Sequence, residues 1–178
     1  MKSGLPLITI IICLISGCVT VPEGEHKKSM LQGEVDFALS EFKSRNPVVE
    51  VYLAEAYGYA IFPKVTKGAF WLGGAFGRGQ VYEKSQMVGF SSMSQGTFGF
   101  SFGVQFFREL IFFRDHATLE RFRTSRFAFS AQASVVVVKV GVGSKTEYQD
   151  GMAVFIITDA GLMVDASVGG QKFKYVPK

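Results

Sequence analysis

Thr97-Phe-Gly-Phe-Ser-Phe-Gly-Val-Gln-Phe-Phe107 decides the fold class. Phe98, Phe100, Phe102, Val104 and Phe106 take every second position, and Gly99, Ser101, Gly103 and Gln105 alternate with them. A period of two belongs to a strand, whose successive side chains point to opposite faces. Bulky residues on one side predict a half-buried strand with the phenylalanine face in the core. Very small residues on the other side predict a close neighbour or a bend.

Strand signals continue on both sides of this stretch. Upstream lie Tyr59–Phe62 and a glycine-studded segment, Ala69–Tyr82, with Gly73, Gly74, Gly77 and Gly79. Downstream, Asp115–Arg123 interrupts with a short amphipathic helical pattern in Ala117, Leu119 and Phe122. Strands resume over Phe127–Val142, where Val135–Val138 predicts burial on both faces. Ala153–Thr158 and Leu162–Val168 follow, with a hairpin turn expected at Asp159-Ala160-Gly161. Gly169-Gly170 is expected to turn the chain into a last strand, Lys172–Val176.

Before the first strand the period changes. Leu31, Val35, Ala38, Leu39 and Phe42 recur at helical spacing, which predicts a helix over Glu25–Arg45. Asn46-Pro47 ends it, because the residue before proline avoids the α region. Pro47 suits the start of a second short helix reaching Ala56. The expected fold is one α+β domain. Its N-terminal helices pack on a strongly twisted antiparallel sheet or partly closed barrel of about seven or eight strands.

The N-terminus carries a different signal. Lys2 precedes a nearly unbroken apolar run, Leu5–Ile15, and then Ile15-Ser16-Gly17-Cys18. A charged start, a short apolar stretch and a small-residue cleavage site predict a secretory signal peptide over residues 1–17. The run is too short to span a bilayer, which takes roughly 20 residues. Ser16-Gly17-Cys18 resembles a bacterial lipobox, in which Cys18 would be lipidated and become the mature N-terminus. Residues 18–24 then form a tether and 25–178 the domain. Both cysteines, Cys13 and Cys18, fall in or beside the signal, so the body forms no internal disulfide and depends on core burial. The formal net charge of +4 is mildly basic, which suits an anionic membrane surface. Export argues against nucleic-acid partners.

Candidate catalytic motifs fail on context. Gly99-Phe-Ser101-Phe-Gly103 matches a nucleophile elbow, which needs a strand, a sharp turn and a helix. Here the alternation runs straight through Ser101. Gly141-Val-Gly-Ser-Lys145-Thr146 resembles a phosphate loop, but Ser144 and Lys139 stand where glycines are required. His26 and His116 are the sole histidines, too few to anchor a metal site without a carboxylate cluster. No catalytic residue, metal or cofactor is expected. The basic residues are more suggestive. Lys64 and Lys67 flank the first turn, Arg78 lies in the glycine-rich strand, and Arg108, Arg114, Arg121, Arg123 and Arg126 surround the inserted helix beside Phe107 and Phe122. Cations beside aromatics suit a lipid-headgroup or other anionic face.

Several segments in order resemble the SYLF domain family: Ala56–Pro63, Val65–Phe70, Gly73–Gly79, Gln95–Gln105, Ile111–Arg114, Ala131–Ser134 and Gly161–Gly170. The resemblance covers about residues 45–176. It departs at Gly89-Phe-Ser-Ser-Met93, where many members have a Trp-Ser pair, often followed by proline. Eukaryotic members are lipid- and actin-binding modules, and bacterial members are small exported lipoproteins. The resemblance therefore implies binding to membrane lipids, phosphoinositides in eukaryotes and other anionic lipids in a bacterium. The expected protein is a non-enzymatic envelope lipoprotein whose domain contacts membrane phospholipids. Val19, in place of aspartate after Cys18, implies an outer-membrane anchor facing the periplasm. The rival readings are a scaffolding protein that binds another envelope protein and a small transmembrane β-barrel.

Cys18→Ala should leave an uncleaved or mislocalised precursor that takes up no fatty-acid label. Equal metabolic labelling of the variant and the parent would refute acylation at this thiol.

Overall fold

A computed structural model describes residues 21–124, 128–130, 138, 139 and 148–178. Helix α1 spans Glu25–Arg45 and α2 spans Val48–Glu55. Two very long strands follow, β1 over Gly58–Glu83 and β2 over Gln86–Phe113. Helix α3 spans His116–Arg123, β3 Ala128–Ser130, β4 Val138–Lys139, and β5 runs over Met152–Pro177. The fold is α+β, as the sequence predicts. The strands are fewer and far longer than expected: five are present among the described residues, in one sheet that does not close. The order is β1-β2-β5-β3, antiparallel throughout, and β4 pairs in parallel with β5. Of the expected strand Phe127–Val142, Val135–Val137 lie outside the described residues.

The helices lie where the pattern puts them. Leu31, Val35, Ala38 and Phe42 are the buried stripe of α1. Asn46 ends that helix in extended backbone, and Pro47 caps α2. Asp115 caps α3, accepting a hydrogen bond from the Thr118 amide at 2.9 Å.

The expected turns at Asp159–Gly161 and Gly169-Gly170 do not exist. Asp159 is the extra residue of a bulge, opposite the step from Phe106 to Phe107, and β5 continues through it. The real hairpin turn is Lys84-Ser85, both with positive φ, 47° and 67°. The glycines that look like turn residues instead align across the sheet. Gly74, Gly96 and Gly170 are register partners in one row, and Gly73, Thr97 and Gly169 form the next.

The long ribbon folds back on itself. The Lys84 amide donates to the Tyr57 carbonyl at 3.0 Å, so the two ends of β1 meet. The rings of Tyr59 and Tyr82 stack at 4.6 Å. A Cβ on Gly77 would lie 2.8 Å from Val65 Cγ2, and one on Gly79 would strike the Ile61 carbonyl oxygen. Folding back creates an inner face and an outer face.

Alternation assigns residues to the two faces. Ala60, Phe62, Val65, Val81, Met93, Phe107, Ile111, Phe113, Val154 and Phe173 point inward, with Leu119 and Phe122 of α3 packed among them. Tyr59, Ile61, Tyr82, Phe90, Leu110, Phe112 and Phe155 point outward under α1 and α2. Tyr52 of α2 meets Phe112 and Phe155, each at 5.2 Å between ring centres. Even-numbered residues of β2 therefore face outward. The phenylalanine face of Thr97–Phe107, expected in the core, is the outer face. Phe102 is 59% exposed there and Val104 49%. The side chains of Phe98 and Phe100 lie outside what the structure describes.

Gly79→Val should destabilise by roughly 1–3 kcal/mol in urea unfolding, because a backbone carbonyl occupies the space its side chain needs. Gly96→Ala should be nearly neutral, since nothing lies within 4 Å of an added Cβ. Equal effects of the two substitutions would refute the fold-back contact.

Candidate functional site

A concave surface lies between α1 and the outer face of β1. It is a groove of about 400 Å³. Pro22 and, from α1, Lys27, Met30, Leu31 and Glu34 line one side, and Lys64, Thr66, Phe76, Gly77 and Arg78 line the sheet side. Residues 27, 30, 31 and 34 are three and four apart, so they share one side of α1, where Lys27, Met30 and Glu34 flank Leu31 of its buried stripe. Lys64 sits in the irregular step between Phe62 and Val65, which pushes it out to solvent. Three cations face one carboxylate over an apolar floor of Pro22, Leu31 and Phe76. The Arg78 guanidinium lies 5.8 Å from the Phe76 ring centre, and its Nε is buried without a hydrogen-bond partner among the described residues. Such a groove matches an amphiphilic anion, with acidic oxygens at the rim and hydrocarbon below.

A second hollow of about 270 Å³ adjoins it, sharing Glu34 and Lys64 and adding Phe37, Pro63, Phe106, Arg108 and Asp159. Arg108 is ion-paired with Asp159, and its guanidinium lies 5.3 Å from the centre of the Phe37 ring. It lines the groove while already engaged.

The other basic residues are placed differently. Lys67 shares the inward face of β1 with Val65 and is buried, so it belongs to no exposed binding face. Arg123 is a strut: it binds Glu83 at 2.6 Å and Glu120 at 2.7 Å, beneath the Tyr175 ring. With the Tyr57 hydroxyl, which donates at 2.7 Å, it holds the Glu83 carboxyl below its usual range. Arg121 donates to the Asp150 carbonyl at 2.7 Å, and exposed Arg114 lies 3.5 Å from Asp115. Arg126 lies outside the described residues. Arg114, Arg121 and Arg123 thus engage local partners on the opposite side of the sheet from α1. They do not join Lys64 and Arg78 in one cluster.

Position by position, the catalytic motifs stay unsupported. β2 runs unbroken through Ser101, so no nucleophile elbow forms. The segment Gly141–Thr146 lies outside the described residues. No group of three or more metal-ligating side chains exists among the described residues. His116 packs edge-on against Tyr57 at 5.6 Å, and His26 is exposed.

The interior holds one group that the sequence reading missed. Glu109 lies between Phe107 and Ile111 on the inward face and is 1% exposed. Gln171 donates to its carboxylate at 3.3 Å and also reaches Gln95 Oε1 at 3.4 Å. Burial pushes its carboxyl up to about 7, and the Gln171 bond offsets only part of that. A carboxylate at an inward position of a period-two apolar run was the available signal. The groove residues Lys27, Met30 and Glu34 were also missed, because they flank the buried stripe of α1.

No family model matches the chain. It is 28% identical over 139 residues to a protein named Beta cell expansion factor A from Aeromonas veronii, an alignment covering 78% of this chain. The chain spans about half, 53%, of that relative's length.

Glu109 predicts a pH dependence. Its folded pKa exceeds the unfolded value, so the folded state holds a proton that the unfolded state has released. Stability should fall as pH rises from about 4.5 to about 7, by roughly 3 kcal/mol, then level off. Glu109→Gln should flatten that slope in chemical denaturation across the range. An unchanged slope would mean that the carboxyl is not buried.

Proposed function

We propose that this chain is a lipid-tethered, non-enzymatic envelope protein whose SYLF-like domain binds an anionic phospholipid surface. Its lipid is attached at Cys18, and the domain faces the periplasm from the outer membrane. The observation that carries this reading is the groove between α1 and β1. It sets Lys27, Lys64 and Arg78 over an apolar floor. A phospholipid headgroup offers negative oxygens beside hydrocarbon, and this surface complements both. No helix among the described residues is long and apolar enough to cross a membrane.

Both buried clusters are drawn from residues 21–175, so a chain begun at Val19 keeps its core while lacking the acylated cysteine. That form isolates the binding of the domain itself. It should float with vesicles of phosphatidylglycerol and phosphatidylcholine and remain unbound with phosphatidylcholine alone. A basic residue near an anionic bilayer contributes about 1 kcal/mol. Lys64→Gln together with Arg78→Gln should therefore weaken flotation by about thirtyfold, and salt should weaken the parent by screening. Binding that ignores salt and both substitutions would overturn the headgroup reading and favour a protein partner.

A further inference from the structure

The sheet has two unlike ends. Near the hairpin and the strand termini, its outer face is covered by α1 and α2. Past the glycine rows neither helix covers it, and its described apolar side chains are exposed. Phe70, Leu72, Phe102 and Val104 are 67%, 69%, 59% and 49% exposed on that outer face. Phe70 and Phe102 are register partners with ring centres 5.6 Å apart, and Val104 pairs beside them with Gly68. Single exposed apolar residues are ordinary on a protein surface, whereas a contiguous, paired group on one sheet face is not.

Among the described side chains, the inner face at the same end is mostly polar. Lys67, Thr97 and Gln171 are buried there, with Gln95 and Gln105 partly so. A sheet with one face in water has the opposite order, apolar inside and polar outside. Polar inside and apolar outside is the order of a wall that faces hydrocarbon.

Between the covered and bare ends, the outer face carries Lys64, Arg78 and Arg108 beside Phe76 and Phe106. Along the strands the sequence is helices, then cations with aromatics, then bare apolar surface. That is the order of water, headgroups and acyl chains. The tether agrees. Pro22 lines the groove, and Cys18 is four residues before it, within a reach of roughly 14 Å. An acyl chain on Cys18 would enter the bilayer from the same side.

We infer that the bare end of the sheet inserts its outer face into the acyl layer of one leaflet, through Phe70, Leu72, Phe102 and Val104. The Lys64–Arg78–Arg108 band stays at the headgroups. The inference rests on the lipid-surface reading above and adds a mode and a direction to it. Insertion is shallow, about 5–10 Å, the depth of an interfacial element.

The test places a tryptophan by position in the full chain. In a Trp71→Phe background, Leu72→Trp and Phe102→Trp report the bare end, and Val51→Trp reports exposed α2. Vesicles of phosphatidylglycerol and phosphatidylcholine carry bromine on their acyl chains. Emission at 72 and 102 should shift to the blue and be strongly quenched, while emission at 51 should be unaffected. A second pair, Leu72→Glu and Phe102→Glu, should lower vesicle partitioning of the chain begun at Val19 by tenfold or more per residue, as loss of a buried large apolar side chain implies. Both positions are exposed, so the thermal melt should stay unchanged. Flotation without quenching at 72 and 102 would overturn insertion and leave surface binding intact. Failure to float at all would overturn both. A blue shift without vesicles, with a dimer by light scattering, would assign this face to a second copy of the chain and overturn insertion.

Discussion

Everything else in this fold depends on the ability of one strand to lie over itself. Residues 61–65 of β1 pass across residues 77–79, and the Ile61 carbonyl occupies the space where Gly79 would carry a side chain. Three strands of 26 to 28 residues cannot form a flat ribbon and still bury a core. They must curl, and curling requires places where backbones meet without intervening side chains. Gly77 and Gly79 supply that contact, and the aligned row of Gly74, Gly96 and Gly170 removes side chains across all three strands at once. Curling then defines an inside. α3 can be buried there only because the two halves of the ribbon separate enough to receive Leu119 and Phe122.

The curl also divides stability from contact surface. The end where the strand termini meet is doubly apolar: Ile111 and Phe113 point in, while Leu110 and Phe112 point out beneath the helices. Each fully buried side chain of this kind contributes about 1.5–3 kcal/mol. The other end places Lys67, Thr97 and Gln171 inside and contributes much less of this burial. A domain held at one end can leave the outer face of the other uncommitted. That asymmetry is what a surface-binding module needs, because an apolar contact face must stay outside the protein's own core.

The sequence was legible where a single period dominates. The α1 stripe of Leu31, Val35, Ala38 and Phe42 and the short α3 pattern were read with their boundaries nearly in place, since local spacing determines them. The strand type of Thr97–Phe107 was equally plain. Its direction was not. Alternation shows that two faces differ, and the larger residues were assigned to the core, but Phe102 and Val104 face outward. Nothing local distinguishes a face packed under a helix from one left bare: Phe112 and Phe102 are the same residue type on the same face of the same strand. The count of strands failed for a related reason. Gly169-Gly170 and Asp159-Ala160-Gly161 have turn composition, and only pairing with Gly96 and Phe106 across the sheet shows that the chain continues.

The basic residues show how tertiary pairing sorts charges that look alike in sequence. Lys64 and Lys67 are three apart, yet an irregularity and one step of alternation send the first to solvent and the second inward. Arg78 and Arg123 are both partly buried arginines beside aromatic rings. Arg123 has two carboxylates within 2.7 Å, so its charge is spent on holding α3 to the end of β1. The Nε of each is buried without an acceptor among the described residues, but Arg78 has no carboxylate partner there and lines a groove with an apolar floor. An arginine satisfied by its own fold gains little from an external anion, whereas one left short of acceptors gains a charge-assisted bond. The same chemical group is structural at one site and receptive at the other, and the difference lies in which carboxylates the curled sheet brings within reach.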